Sequence, residues 1–428
     1  MQTDVRTHFT APVAASDRLA VSVARNGFTP ALAAELRARH NYLEGLKAGD
    51  VSLYGFLNVA EFLPTAVIHR SGPVVDLQQA PNVDIGRVRA FGEAGEMSLD
   101  EYLVHPASRA QGMLVLHRGR IAFERYPGMR EYDSHLWMSC GKTAASLIIA
   151  LLEAEGKVDV DDPIETYLAG FTGTAWQGVT VLDILDMATG LDIEEDETTR
   201  ADLNSALNRM TLAASRLPNV RGQIERVADV VASAERRRAP GEVLEYSSLT
   251  THVLVSLAET IEQRRWSDIF QARVWSRMTV DGDMLIAVTP DEGTAIVHGL
   301  CSTRLRDFGR YGLLYTPSWR KAARDQVVTA SYLRTIQNGG RPNLLARSRR
   351  RTLLAGMFGG DVPVANSRQW DGIFEDGDLW KAGLCGQGLY VSPGKDLVIA
   401  WFSTVVHTDL PVYARAIAQL YADVTPVH

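Results

Sequence analysis

The chain is poor in cysteine, in long uncharged apolar runs and in basic stretches, and each shortage removes a class of protein. Three cysteines, Cys140, Cys301 and Cys385, in 428 residues are too few and too scattered for a disulfide framework. None falls in a Cys-x-x-Cys pair, so a reducing compartment is expected. No uncharged apolar stretch reaches the roughly 18 residues that a membrane-spanning helix needs. The opening MQTDVRTHFTAPVAASDRLAV lacks the basic start and sustained apolar run of a secretory signal. The expectation is a cytoplasmic protein with no membrane partner. The formal net charge is -7, and no polybasic run is interleaved with aromatics, which argues against nucleic acid as a partner. Arg236, Arg237 and Arg238 read as a solvated loop or helix end. Ten histidines include no HExxH or comparable ligand spacing, so no metal site is expected.

What the chain does have is core. Its 46% hydrophobic content and its length suit two or three well-buried domains. Residues 1–95 carry one helical pattern, TPALAAELRARHNYLEGL, then Pro and Gly punctuation, and read as an N-terminal extension packed on the body. GMLVLHRGRIAFERYPG has two β-rich runs split by Arg-Gly, a hairpin signal, and GLYVSPGKDLVIAWFST makes a second around Ser-Pro-Gly-Lys-Asp. Residues 158–295 are mainly helical in pattern. Early hairpin, helical middle and late hairpin predict an α+β fold. One antiparallel sheet flanked by helices is assembled from 96–157 and 296–428, with a helical lobe inserted between them. No repeat sets the oligomeric state, which leaves a homo-oligomer open.

Within HLWMSCGKTAASLIIALLEAEG, Ser139 and Lys142 stand three residues apart at the head of a segment apolar on nearly every face. Positions i and i+3 share a helix face, so the Lys142 amine can reach back towards the Ser139 hydroxyl. Poor solvation disfavours the ammonium and lowers its pKa towards base function near neutrality. In the first turn, the Ser139 backbone N–H is free to meet an oxyanion. The same residues have a plain reading, Ser as an N-cap and Lys snorkelling to solvent. Two other stretches add weight. PGEVLEYSS presents Tyr246 between a turn and an apolar helix, and WKAGLCGQGLYV reads as a glycine-studded strand, where glycine marks close backbone approach.

Together, in this order, these segments resemble the penicillin-recognising serine hydrolases, which include class C β-lactamases, DD-peptidases, related esterases and the nylon-oligomer (6-aminohexanoate dimer) hydrolases. The S-x-x-K element falls on Ser139-Cys140-Gly141-Lys142, the Y-x-N element on Tyr246-Ser247-Ser248 and the K-T-G element on Lys381-Ala382-Gly383. The resemblance spans about Gln111 to Ser403 and implies a β-lactamase/transpeptidase-like fold. It also implies attack by Ser139, with Lys142 as base and Tyr246 bridging and then protonating the leaving group, and no metal or organic cofactor. The oxyanion would lie between the backbone N–H groups of Ser139 and Leu384, with Ser248, Lys381, Gly383 and Cys385 along the substrate. Ser248 for Asn and Ala382 for Thr weaken a β-lactam reading. GLCGQGLYV and DMATGLDIEED look more like the nylon-oligomer hydrolase and esterase branch, so the expected substrate is a small linear amide, or else an ester. A catalytically silent binding or scaffold relative is the alternative outside enzymology, and retention of Ser139, Lys142 and Tyr246 argues against it.

Some residues are open to two readings. Lys381 supports Tyr246 electrostatically, clamps a substrate carboxylate, or is an exposed strand lysine. Asp192, Glu194, Glu195, Asp196 and Glu197 form either a solvated loop or a surface for a cationic substrate group, and the solvated loop is favoured. Trp137 and Trp380 wall a cleft or fill core. Cys140 and Cys301 read as buried packing residues.

Overall fold

In the computed structural model, residues 18–92, 95–338 and 340–423 are described. Residues 1–17, where most of the signal-like stretch was sought, lie outside them. The strands are, in chain order, β1 (Thr65–Ile68), β2 (Arg89–Gly92), β3 (Gly95–Ser98), β4 (Ala110–His117), β5 (Arg120–Arg125), β6 (His135–Leu136) and β7 (Met284–Ala287). They continue with β8 (Cys301–Thr303), β9 (Ala365–Ser367), β10 (Trp370–Ile373), β11 (Leu379–Gly383), β12 (Gln387–Ser392) and β13 (Leu397–Ser403). Among the described residues they form a seven-stranded sheet in the order β5-β4-β13-β12-β11-β10-β9, a four-stranded sheet β1-β7-β8-β6, and the β2-β3 pair.

The large sheet is antiparallel throughout and joins the two ends of the chain, since β4 pairs β13 from Leu397↔His117 to Ser403↔Ala110. Both expected hairpins are present. Arg118 and Gly119 have φ of 52° and 66°, the pair of left-handed residues that a two-residue type I′ turn requires. Successive side chains of a strand point to opposite faces, and the cores follow that alternation. Leu114 and Leu116 of β4 and Val398, Ala400 and Phe402 of β13 enter one core with the helix Leu305–Leu313. Met113, Val115, Leu397, Ile399 and Trp401 enter another, capped by the helix Leu410–Ala418.

The apolar segment after Ser139 is the helix Lys142–Ala154, buried at every position from Lys142 to Ala150. Between it and β7 run the helices Val181–Leu185, Ala206–Ala214, Val227–Ala232, Ser248–Glu262 and Trp266–Arg273. The N-terminal segment is tied to the body by strand pairing, backbone hydrogen bonds and a buried ion pair. β1 pairs with β7 from Thr65↔Ala287 to Ile68↔Met284. The Leu136 N–H donates to the Phe56 carbonyl at 3.0 Å. The buried Arg109 guanidinium pairs with Asp50 at 3.2 Å and donates to the Leu19 carbonyl at 2.9 Å.

One expected element is different. WKAGLCGQGLYV is two strands, β11 and β12, folded back on each other with Gly383 opposite Gln387. Cys385 and Gly386 at φ 59° and 87° turn the chain between them.

Candidate active site

Ser139 sits in a 3₁₀ turn, Met138–Gly141, that runs directly into the helix beginning at Lys142. Met138 before it holds φ 48°, a left-handed conformation uncommon for a non-glycine residue, so the chain bends sharply just before Ser139. Gly141 is required by contact, because a Cβ there would stand 2.3 Å from the Val297 carbonyl oxygen. At the far side, a Cβ on Gly383 would stand 2.7 Å from the Trp137 carbonyl oxygen and 3.1 Å from the Met138 Cβ. The end of β11 therefore lies against the serine turn and brings the backbone of Leu384 beside it. Ser139 is partly exposed while Met138 and Cys140 on either side are buried.

Lys142 is 0% exposed. Its ammonium donates to the Ser248 hydroxyl at 2.7 Å and to the His298 carbonyl at 3.2 Å. The hydrogen bonds thus run to Ser248 and His298 where the i, i+3 spacing pointed to Ser139. Burial pulls the Lys142 pKa down to about 7, with the Glu195 carboxylate pulling the other way.

Tyr246 comes from the residue before the N-cap of the helix Ser248–Glu262, where the Ser247 hydroxyl accepts from the Leu249 N–H. Its backbone is held by DMATGLDIEED: the Glu195 N–H donates to the Tyr246 carbonyl at 2.7 Å and the Glu245 N–H to the Met187 carbonyl at 2.8 Å. Three cations ring the phenol, with Arg350 Cζ, Lys381 Nζ and Lys142 Nζ at 4.3, 4.8 and 5.3 Å from the ring centroid. Burial, then the charges of Asp371 and Glu195, raise its pKa well above the usual tyrosine value, and the facing Ser139 hydroxyl and Arg350 offset only part of this.

Lys381 is buried, which removes the exposed-strand reading. Its ammonium donates to Asp371 Oδ1 at 2.7 Å and lies 3.4 Å from the Tyr246 hydroxyl. The other Asp371 oxygen accepts from the Ala382 N–H at 3.0 Å. Cys385 is 4% exposed, and its thiol donates to the Leu46 carbonyl at 3.4 Å, so it backs the β11–β12 turn while Gly383 and Leu384 face outward. Trp137 and Trp380 are core residues, Trp137 donating to the Thr303 hydroxyl at 2.7 Å and Trp380 packing edge-on against Phe358. Cys140 and Cys301 are buried, and burial raises both thiols.

Apart from Glu197, which is exposed as the solvated reading expects, the acidic run is not a solvated loop. Asp192 accepts from the Glu235 N–H, Glu194 and Asp196 pair with Arg349, and Asp196 caps the helix Glu197–Ala201. The Glu195 side chain is 4% exposed, pairs with Arg200 at 3.0 Å and accepts from the Ser248 N–H. Burial works against its charge, but Lys142, Arg200 and the Ser248 bond outweigh it and hold the pKa below the ordinary value. Sequence reasoning missed Asp371 and Arg350 altogether. A signal for Asp371 was present, since a carboxylate inside the apolar strand WDGIF needs a buried partner.

Fold and site together define the β-lactamase class of hydrolases. A family model described as Beta-lactamase matches residues 100–422, and the chain belongs to that family. It is 25% identical over 354 residues to the 6-aminohexanoate-dimer hydrolase of Paenarthrobacter ureafaciens, covering 82% of this chain and 85% of the relative. A solved structure from Bacillus anthracis, named for a 6-aminohexanoate-dimer hydrolase, superposes with a TM-score of 0.72 at 19% identity, covering 89% of this chain and 95% of its own. EstCE1, a hydrolase with promiscuous acyltransferase activity, superposes with a TM-score of 0.54 at 13% identity over 73% of this chain and 94% of its own. Among the described residues no helix is long and apolar enough to cross a membrane.

Proposed function

We propose that the chain is a serine hydrolase that cleaves a small linear amide, or an ester, through an acyl-enzyme on Ser139. The observation that carries this reading is that Tyr246, from a segment distant in sequence, faces the Ser139 hydroxyl and has the fully buried Lys142 amine 5.3 Å from its ring centroid, an amine whose pKa burial pulls down to about 7. The Ser139 hydroxyl attacks the acyl carbon, and its proton passes to neutral Lys142 with the Tyr246 hydroxyl as bridge. The backbone N–H groups of Ser139 and Leu384 stabilise the tetrahedral oxyanion. Collapse breaks the bond to the amine or alcohol, which leaves with a proton from Tyr246, and Tyr246 is reprotonated from Lys142. Water then attacks the acyl-enzyme by the reverse sequence and releases the acid. Lys381 positions Tyr246, and Asp371 positions Lys381.

The Ser248 hydroxyl accepts from Lys142 at 2.7 Å, and Ala382 offers no hydroxyl, which leaves little to grip the side chain and carboxylate of a β-lactam. The name of the 25% identical relative fits a linear amide. A fluorophosphonate probe is expected to label the intact protein on Ser139 and to leave Ser139→Ala unlabelled, read by peptide mass spectrometry. Labelling that survives the substitution ends the serine-hydrolase reading.

A further inference from the structure

Behind Lys142 runs a line of contacts that has no part in the proposed mechanism. Ser248 Oγ accepts from Lys142 at 2.7 Å, and its own hydroxyl bonds the Glu195 carboxylate, which also accepts the Ser248 N–H. Glu195 is held in place on two sides. Arg200 pairs with its carboxylate at 3.0 Å, and its backbone N–H donates to the Tyr246 carbonyl at 2.7 Å. With its side chain buried it is closed to a substrate. The other carboxylate of the site, Asp371, is already engaged by Lys381 and the Ala382 N–H, so the one that reaches Lys142 through a hydroxyl is Glu195.

Proton inventory fixes the direction of these bonds. A carboxylate only accepts, so the Ser248 proton lies on the Glu195 side and Ser248 meets Lys142 through a lone pair. A neutral amine has two N–H bonds and one lone pair. Here the two N–H bonds are taken by Ser248 Oγ and, at 3.2 Å, by the His298 carbonyl, which leaves the lone pair for the proton that Ser139 gives up. Without Glu195 the Ser248 hydroxyl is free to turn and donate to Lys142, which occupies that same lone pair and quenches the base. We infer that Glu195 is a positioning residue for the base: it holds the Ser248 proton away from Lys142 and so keeps the amine lone pair open towards Ser139 and Tyr246. A buried carboxylate does the equivalent for the imidazole of a Ser-His-Asp triad, where it fixes the tautomer. The Asn of a Y-x-N element presents a carbonyl oxygen, which has no proton to turn, whereas Ser248 in its place needs the lock. Ser248 thereby belongs to the base and not to the substrate pocket.

The inference rests on the serine-hydrolase reading, and the experiment separates the two. The second-order rate constant for labelling of Ser139 by a fluorophosphonate is measured against pH for the wild type, Ser248→Ala, Glu195→Met and the double variant, with circular dichroism as the check on folding. Each single variant is expected to lower the alkaline plateau by roughly tenfold or more, a part of the ~100-fold that a lost acid–base group costs. Glu195→Met is also expected to move the acid limb to lower pH, which a merely structural role would not do. Because both residues act through one hydroxyl, Glu195→Met in the Ser248→Ala background is expected to cost less than about threefold. An unchanged plateau in either folded single variant overturns the inference. So does a loss in Glu195→Met with the acid limb in place, or a double variant whose losses multiply. If Glu195→Met does not fold, the plateau of Ser248→Ala decides alone, lowered for the inference and unchanged against it. A wild type that is not labelled ends the hydrolase reading as well, whereas a labelled wild type with unaltered variants ends this inference only.

Discussion

Ser139→Ala removes one hydroxyl from a partly exposed turn, and is expected to abolish acyl transfer with an unchanged melting temperature, checked by ester hydrolysis and calorimetry. Lys142 gives the pH dependence its sign. In the proposed mechanism the base is the neutral amine, so kcat/KM is expected to rise with pH through about 7 and level off above it. Between pH 7 and the ordinary lysine value near 10.5, the unfolded chain holds a proton that the native site has released, so stability rises with pH over this window. Lys142→Met is accordingly expected to raise the melting temperature most at and below pH 7, and less at pH 10. Glu195 favours the Lys142 ammonium, so Glu195→Gln should move the acid limb of the kcat/KM profile to lower pH. A loss of activity with no such shift makes Glu195 purely structural. Tyr246→Phe should lower kcat by ~100-fold. Ser139, Lys142 and Tyr246 are singled out in the sequence because three segments in this order resemble the penicillin-recognising serine hydrolases, whereas helix spacing and a loop-to-helix junction alone leave their plain readings open. Glu195 could not be singled out, since a dense acidic run ordinarily faces water; Asp371 announces only that it needs a buried partner, and that the partner is Lys381 emerges only once β10 and β11 have paired.

The turn that carries Ser139 depends on Gly141. Gly141→Ala would drive a Cβ to within 2.3 Å of the Val297 carbonyl, and Val297 neighbours the residue whose carbonyl receives Lys142. The expected result is a destabilisation of about 1–3 kcal/mol in urea titration together with reduced turnover, because backbone and lysine partner shift together. The hairpins show what local chemistry can and cannot announce. Arg118-Gly119 is a turn signal any reader of the chain can find. The β11–β12 turn is harder to find because the first of its two left-handed residues is Cys385, a residue type with no turn preference, and the second, Gly386, stands among glycines that suggest a strand kink equally well.

The N-terminal segment supplies the outer strand of the four-stranded sheet and the partner of buried Arg109. A chain truncated before residue 96 would expose the β7 edge and leave the Arg109 guanidinium without Asp50, and removing one partner of such a buried pair costs about 3–5 kcal/mol. The truncated protein is expected to aggregate on expression or to melt well below the full chain. That this segment is built in was not legible, because β1 is a short strand with a mixed pattern and its partner lies in a stretch that reads as helical. At the level of chemistry, a chromogenic cephalosporin should be a far poorer substrate by kcat/KM than an aryl ester or small aliphatic amide. If it is the best of the three, the linear-substrate reading fails. The pairing of β4 with β13 also governs how the protein is born. These partners are roughly 280 residues apart, and a ribosome adding roughly 5–20 residues per second makes the second about 14–56 s after the first. Throughout that interval β4 has β5 on one side and a bare edge on the other. The serine turn, which leans on β11, cannot be set until translation is almost complete, so nascent chains stay inactive and exposed to chaperones and proteases until the last strand emerges.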